Sequence, residues 1–261
     1  MLKERKMSDK NIRHIPDGVI FKNRNSYKTP LILAHRGGNT LAPQNSLPAF
    51  EAVCKLGVWA LETDIRLTKD GHCVCIHDAD VDKMTNGEGP VLDYTFDELM
   101  KIRIDNGVGA DTLPEDSLRI PTMDQYLDLC MKWGVVPFIE LKTDDGCEPV
   151  MKALRRRSME SFAVISSVKI EHLEAARRLS DKVFIHHIFS SVDQIDHLYD
   201  MGYAGMSFKV KSPAELPEGL IGDVHEAGLR VCLRAAETPE AVREMIDIGI
   251  DYQPSNKVFV L

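Results

Sequence analysis

Residues 136–179 read VPFIELKTDDGCEPVMKALRRRSMESFAVISSVKIEHLEAARRL. Two β-rich runs in this stretch, VPFIELK (136–142) and FAVISS (162–167), alternate with segments of helical periodicity at 148–158 and 169–179. Short connections separate the segments, and strands that alternate with helices in this way are typical of a parallel sheet. The stretch therefore predicts an α/β fold.

The same alternation continues in both directions along the chain. Six further β-rich runs begin at Leu31, Leu61, Val183, Tyr203, Arg230 and Ile250. Five further helical segments span 47–56, 123–133, 192–201, 218–227 and 239–248. Local signals support two helix starts: Thr122 and Gln125 have the spacing of a capping box, and Thr238 precedes Pro239. Eight strand–helix units predict a (β/α)₈ TIM barrel. The alternative is an open doubly wound sheet, but no predicted strand of this sequence is followed by the glycine-rich nucleotide loop typical of that fold.

One connection is much longer than the others, because 75 residues separate the starts at Leu61 and Val136. It begins with LTKDGHCVCIHD, in which Asp70-Gly71 predicts a tight hairpin turn. The stretch from about 78 to 120 is too long for an ordinary βα loop. We therefore expect a small insertion after the strand-2 hairpin, above the barrel, within a single barrel domain over 30–261 that follows a leader segment at 1–29.

Composition excludes several classes of protein. The 261 residues carry 32 basic and 40 acidic side chains, a net charge of −8, which argues against a nucleic-acid partner. No apolar run approaches the roughly 20 residues of a membrane span, so stable membrane insertion is not expected. The charged N-terminus lacks the apolar core of a secretory signal, and the six cysteines lack the spacing of a disulfide framework. These features predict a cytoplasmic monomer or small homo-oligomer.

Chemically reactive side chains fall at the predicted ends of three adjacent strands. They are His35 with Arg36, Glu62 with Asp64, His77 with Asp78, and Glu140 with Lys142. Residues i and i+2 share one face of a strand, so Glu62 and Asp64 point the same way. Carboxylates inside an apolar barrel need compensation. A salt-bridged interior with Lys142 or Arg36 is one interpretation, and an oxygen-rich site for Mg²⁺ or Ca²⁺ is the other.

Taken together, these groups fit the cleavage of a phosphoester. Cations neutralise phosphate charge, and two imidazoles move protons near neutral pH. Either histidine alone is more simply an ordinary hydrogen-bonded side chain. The convergence of all eight groups on three strand ends predicts a catalytic site.

An ordered set of motifs resembles the glycerophosphodiester phosphodiesterase family. The motifs are His35-Arg36-Gly37, Pro43-Gln44-Asn45-Ser46, Ala49-Phe50, Gly57, Glu62-x-Asp64, Thr68-Lys69-Asp70-Gly71, His77-Asp78, Thr85-Asn86-Gly87 and Glu140-Leu141-Lys142. The resemblance implies a TIM barrel with a small insertion and hydrolysis of a small glycerophosphodiester to sn-glycerol 3-phosphate and an alcohol, in glycerol and lipid metabolism. It implies these roles: His35 and His77 as the acid/base pair; Glu62, Asp64 and Glu140 as ligands of one divalent cation, Mg²⁺ or Ca²⁺; Arg36 and Lys142 as phosphate-binding residues.

Three departures from the family pattern concern positions on the substrate side. Gln44 replaces a usual glutamate, Arg234 stands in a strand-7 segment that usually carries tryptophan and asparagine, and QPSN (253–256) replaces a final T-D-x-P. Two alternative functions follow. One is a phospholipase D-like enzyme that acts on lysolipids, with an apolar entrance supplied by Val91, Leu92, Tyr94, Phe96 and Leu99 of the insertion. The other is a non-catalytic phosphate-binding barrel.

Overall fold

The computed structural model describes Ile20 and residues 31–210, 212–233 and 238–257. Eight parallel strands form a nearly closed barrel, which confirms the predicted fold. They are β1 (Leu31–Ala34), β2 (Ala60–Leu67), β4 (Val136–Leu141), β5 (Val164–Ser167), β6 (Phe184–Ser190), β7 (Ala204–Phe208), β8 (Arg230–Cys232) and β9 (Tyr252–Ser255), while β3 (Cys73–Cys75) pairs antiparallel with β2. Around the barrel the hydrogen-bonded strands follow the order β8-β7-β6-β5-β4-β2-β1-β9. The two end strands meet where the Asp251 N–H donates to the Val231 carbonyl over 2.8 Å.

Seven of the described helices connect successive barrel strands. They are α1 (Leu47–Lys55), α3 (Met123–Trp133), α4 (Cys147–Arg156), α5 (Ile170–Leu179), α6 (Ile195–Met201), α7 (Leu220–Glu226) and α8 (Pro239–Asp247), and the short α2 (Phe96–Leu99) lies in the insertion. Thr122 and Gln125 form both bonds of a capping box, and the Thr238 hydroxyl accepts from the Ala241 N–H, as predicted. No helix in the described ranges combines the length and the hydropathy that a membrane crossing requires.

A small apolar cluster fills the barrel interior below the carboxyl ends of the strands. Its members are Ile20, Leu33, Ala60, Val136, Phe138, Val164, Phe184, Cys232 and Tyr252. Ile20 is the described residue of the expected leader at 1–29, and its carbonyl accepts a hydrogen bond from Trp59 Nε1 over 2.9 Å. The rest of that leader lies outside the described residues.

The insertion has its own apolar core. Its buried members are Val74, Ile76, Val81, Val91, Leu99, Ile102, Ile104, Leu118 and Ile120, with Tyr94, Met100 and Leu113 packed against them. Of the five side chains considered as an apolar entrance, Val91, Tyr94 and Leu99 are used in this core. Phe96 stacks on His72, and Leu92 is exposed.

The hydroxyl group of Tyr126 bridges strands β2 and β4 next to the residues of the candidate site. Tyr126 lies on α3 and is fully buried; its Oη donates to the Leu61 carbonyl over 2.6 Å and accepts from the Phe138 N–H over 3.0 Å. Leu61 precedes Glu62, and Phe138 lies two residues before Glu140 on one face of β4. One hydroxyl from a helix therefore satisfies two buried backbone groups beside two acidic side chains.

We predict that Tyr126→Phe destabilises the fold by about 1–3 kcal/mol, because it removes the partner of two buried backbone groups. The free energy of urea unfolding measures the change. Tyr94→Phe is the matched control, since its hydroxyl donates to the exposed Glu88 carbonyl, and we expect a loss below about 0.5 kcal/mol. Equal losses in the two variants would contradict the bridging role.

Candidate active site

Strand β1 ends in a strained turn that directs His35 and Arg36 toward β2. Residues His35–Gly37 form a 3₁₀ turn in which Arg36 has a φ of 52°. This left-handed conformation costs an L-residue about 1–2 kcal/mol. The Arg36 N–H donates to Glu62 Oε2 over 2.6 Å, and the Arg36 carbonyl accepts from the Asn45 N–H over 2.9 Å. These two hydrogen bonds hold the turn beside the first carboxylate of the site.

Three carboxylates converge at the mouth of the barrel. Glu62 and Asp64 share one face of β2, and the register of the parallel pair sets Asp64 opposite Glu140 on β4. One oxygen from each carboxylate lies within 4.8 Å of the others, and all three residues are buried. The sequence placed these groups on adjacent strands, and the register brings them into one cluster.

Two cations compensate this negative charge unequally. Lys142 Nζ lies 2.5 Å from Glu140 Oε1 and 3.2 Å from Asp64 Oδ1, and Arg36 Nε lies 3.6 Å from Asp64 Oδ2. Burial raises the pKa of Asp64, but Lys142, His77 and Arg36 outweigh it and hold that pKa below its ordinary value. By contrast, burial raises the pKa of Glu62 well above its usual range, and the carboxylates of Asp64 and Glu140 raise it further.

The donor set fits a hard divalent cation. Glu62 Oε2 accepts from the Arg36 N–H, but Glu62 Oε1 is buried and has no hydrogen-bond partner among the described residues. An unpaired buried carboxylate oxygen is costly, and here it lies beside two further carboxylates. Oxygen ligands of this kind suit Mg²⁺ and Ca²⁺ alike. Glu62, Asp64 and Glu140 are the residues able to hold such an ion.

Each of the two predicted acid/base histidines has one ring nitrogen held by an oxygen acceptor. His35 Nδ1 lies 2.7 Å from Asn256 Oδ1, and His77 Nδ1 lies 2.8 Å from Asp78 Oδ1. These oxygens accept hydrogen bonds, so each Nδ1 carries the proton and Nε2 remains available for chemistry. Burial is the main cause that lowers the pKa of both imidazoles.

Three supporting residues were not assigned roles from the sequence. Arg66 donates from Nε and Nη2 to the His77 carbonyl at 3.0 and 2.8 Å, and Asn45 Nδ2 donates to Asp64 Oδ2 at 2.9 Å. Asn256, which orients His35, is 221 residues away from it in the chain. Arg66 was detectable, because it lies two residues after Asp64 on the same face of a strand. Nothing local in the sequence links Asn256 to His35.

The structure describes Gln44, one of the positions that depart from the family pattern. Gln44 Oε1 accepts from Arg36 Nη1 over 3.2 Å, so a neutral amide contacts the guanidinium. Arg234 lies outside the described residues.

Known proteins resemble this chain in sequence. A family model described as the Glycerophosphoryl diester phosphodiesterase family matches residues 35–252. A Caldanaerobacter subterraneus protein named "Glycerophosphodiester phosphodiesterase" is 34% identical over 155 residues, which cover 58% of this chain and 63% of that protein. The match therefore spans less than two thirds of that relative's length.

Solved structures share the fold. A glycerophosphodiester phosphodiesterase from Agrobacterium tumefaciens superposes with a TM-score of 0.74 and 24% identity, covering 88% of this chain and 97% of the other. An Oleispira antarctica phosphodiesterase in complex with the product sn-glycerol-3-phosphate gives a TM-score of 0.74 at 22% identity, covering 87% and 93%. The match of the family model extends from His35 to Tyr252 and includes both predicted histidines and all three carboxylates. The chain belongs to the glycerophosphoryl diester phosphodiesterase family.

Proposed function

We propose that this chain hydrolyses glycerophosphodiesters to sn-glycerol 3-phosphate and an alcohol, with the help of one divalent cation held by Glu62, Asp64 and Glu140. The observation that carries the proposal is the clustering of these three buried carboxylates beside two histidines whose Nδ1 atoms are already paired. The name of the Caldanaerobacter relative and the product bound to the Oleispira phosphodiesterase support the same reaction class.

The cations of the site would bind the phosphate. Arg36 Nε is buried and has no hydrogen-bond partner in the described part of the chain, and Lys142 Nζ lies between Glu140 and Asp64. A phosphodiester anion satisfies both groups and adds charge-assisted hydrogen bonds. When bound, the divalent cation supplies positive charge that polarises the phosphate oxygens.

The two imidazoles would move the protons through Nε2. One histidine takes the proton from the nucleophile, which is water or the glycerol 2-hydroxyl, as the new P–O bond forms. The other gives a proton to the alkoxide as the P–O bond to the alcohol breaks. Attack by the 2-hydroxyl passes through a cyclic phosphate that water then opens. The Asp78 carboxylate and the Asn256 amide oxygen keep the two rings oriented for these transfers.

The alternative functions have weaker support. The insertion residues Val91, Tyr94 and Leu99 pack in the insertion's own core, so they do not line an apolar entrance for a lysolipid. For a non-catalytic phosphate-binding barrel we would expect the loss of a histidine or a carboxylate, and this chain retains His35 and His77 together with all three acids.

We predict that His35→Ala and His77→Ala each lower kcat/KM by about 10²-fold or more, because each removes a group that transfers a proton in the transition state. Release of sn-glycerol 3-phosphate from a panel of glycerophosphodiesters measures the loss. His197→Gln is the control: its ring is exposed and pairs with Glu174 on the outer helices, so full activity is expected. Undiminished turnover in both alanine variants would refute the assignment.

We also predict that Mg²⁺ or Ca²⁺ raises the thermal midpoint of unfolding and that a chelator reverses the rise. A ligand at 100 times its Kd stabilises the folded state by about 2.7 kcal/mol. Glu62→Gln should abolish this rise, because the amide supplies no anionic oxygen to the cation. Asp200→Asn, an exposed carboxylate at the end of α6, is the control and should retain the rise. An unchanged cation effect in Glu62→Gln would exclude Glu62 as a ligand.

A further inference from the structure

Strand β6 ends in a distortion that exposes an aromatic ring at the barrel mouth. The register between β6 and β7 shifts between His187 and Ser190, which places an irregularity at Phe189. Phe189 has a φ of 54°, and 53% of its surface is exposed. A left-handed conformation is unusual for a bulky residue and is found mainly where the surrounding structure imposes it. Such irregularities often re-aim a side chain next to an active site.

Hydrogen bonds hold this distortion in place. The Phe189 N–H donates to Ser207 Oγ over 3.2 Å, and His187 Nδ1 lies 2.8 Å from Ser190 Oγ. Ser207 also hydrogen-bonds Cys232, which belongs to the apolar cluster inside the barrel. The backbone of Phe189 is therefore anchored to Ser207 of β7 at the carboxyl end of β6, the end of the barrel at which the three carboxylates also lie.

A lysine lies over this ring. Lys209 Nζ is 5.6 Å from the centroid of the Phe189 ring, within the range of a cation–π contact. Lys209 directly follows β7 (Ala204–Phe208) and so stands at the carboxyl end of that strand. It is exposed and forms no ion pair with any of the described residues. Phe189 and Lys209 form what we term the β6–β7 subsite.

The β6–β7 subsite lies within reach of a substrate bound at the carboxylates. β6 is two strands away from β4, which carries Glu140. Because neighbouring strands are about 4.8 Å apart, β6 and β4 are about 10 Å apart. A small alcohol attached to a phosphate at the cluster extends over much of this distance. The subsite is therefore placed to contact a substituent of the phosphodiester rather than the phosphate itself.

We propose that the β6–β7 subsite selects the alcohol substituent of the substrate and favours one with a second anionic group over a cationic one. This inference rests on the proposed function. The face of an aromatic ring attracts a quaternary ammonium group, but here Lys209 already occupies a position over the ring and repels a second cation. An anionic group instead gains the ion-pair partner that Lys209 lacks among the described residues. A substrate with a neutral alcohol substituent is expected to be intermediate in preference between the anionic and the cationic ones.

The test compares kcat/KM for three substrates of the metal-loaded protein. They are glycerophosphocholine, glycerophosphoglycerol, and glycerophosphoglycerophosphoglycerol, whose substituent contains a second phosphodiester. We expect the last to be the best substrate and the choline ester the poorest. Lys209→Gln should lower the ratio of anionic to cationic substrate by about fivefold or more, because one near-surface charge interaction is lost with each of them. Lys209→Arg should retain the ratio.

Lys132→Gln is the matched control, because Lys132 also lies over an aromatic ring, 5.5 Å from the centroid of Trp133, but on helix α3. It should leave the ratio unchanged. Hydrolysis with the same ratio in Lys209→Gln as in the unsubstituted protein would overturn the subsite and leave the proposed function intact. Failure to hydrolyse any of the three would overturn the proposed function. In that case the affinities of the same three compounds, measured by calorimetry, test the subsite: Lys209→Gln should lower the ratio of the affinity for the anionic compound to that for the cationic one.

Discussion

Three buried carboxylates with oxygens within 4.8 Å of one another create strong electrostatic repulsion at the mouth of the barrel. Lys142 reduces it by lying between Glu140 and Asp64, and Arg36 reduces it further on the side of Asp64. Glu62 gains the hydrogen bond from the Arg36 N–H and a smaller attraction to the Arg36 charge, and its second oxygen has no hydrogen-bond partner among the described residues. This imbalance makes the site receptive to a divalent cation, because an added positive charge relieves the repulsion that the protein's own cations leave.

The same electrostatic cluster stabilises the strained backbone around it. Arg36 and Asn45 both have positive φ values, 52° and 51°; this conformation is unfavourable for Arg36, whereas asparagine adopts it more readily than most residues. Each is bonded to a carboxylate: the Arg36 N–H to Glu62 and Asn45 Nδ2 to Asp64. The same hydrogen bonds therefore offset both the backbone strain and part of the repulsion among the carboxylates. A substitution of Glu62 or Asp64 is expected to affect the turn that carries His35. Strain retained in this way is typical of functional sites.

The strands that carry the acids are fixed from outside the barrel. Tyr126 reaches from α3 to bond Leu61 and Phe138, which lie near Glu62 and Glu140 in their strands. The antiparallel strand β3 extends β2 and leads to His77, whose carbonyl is held by Arg66. The hairpin therefore places one histidine above β2, and the β1 turn places the other beside it.

The sequence by itself determined the barrel, because hydrophobic period, capping residues such as Thr122 and turn signals such as Asp70-Gly71 act over a few residues. It also placed Glu62, Asp64, Glu140 and the two histidines at strand ends, since alternation along a strand fixes which side chains share a face. Only the tertiary structure decided which oxygen is left unpaired and how Asn256 meets His35 across 221 residues. It alone decided that Phe189 takes a left-handed conformation beside Lys209. These features depend on strand register and on contacts between distant segments, and neither leaves a local signal in the chain.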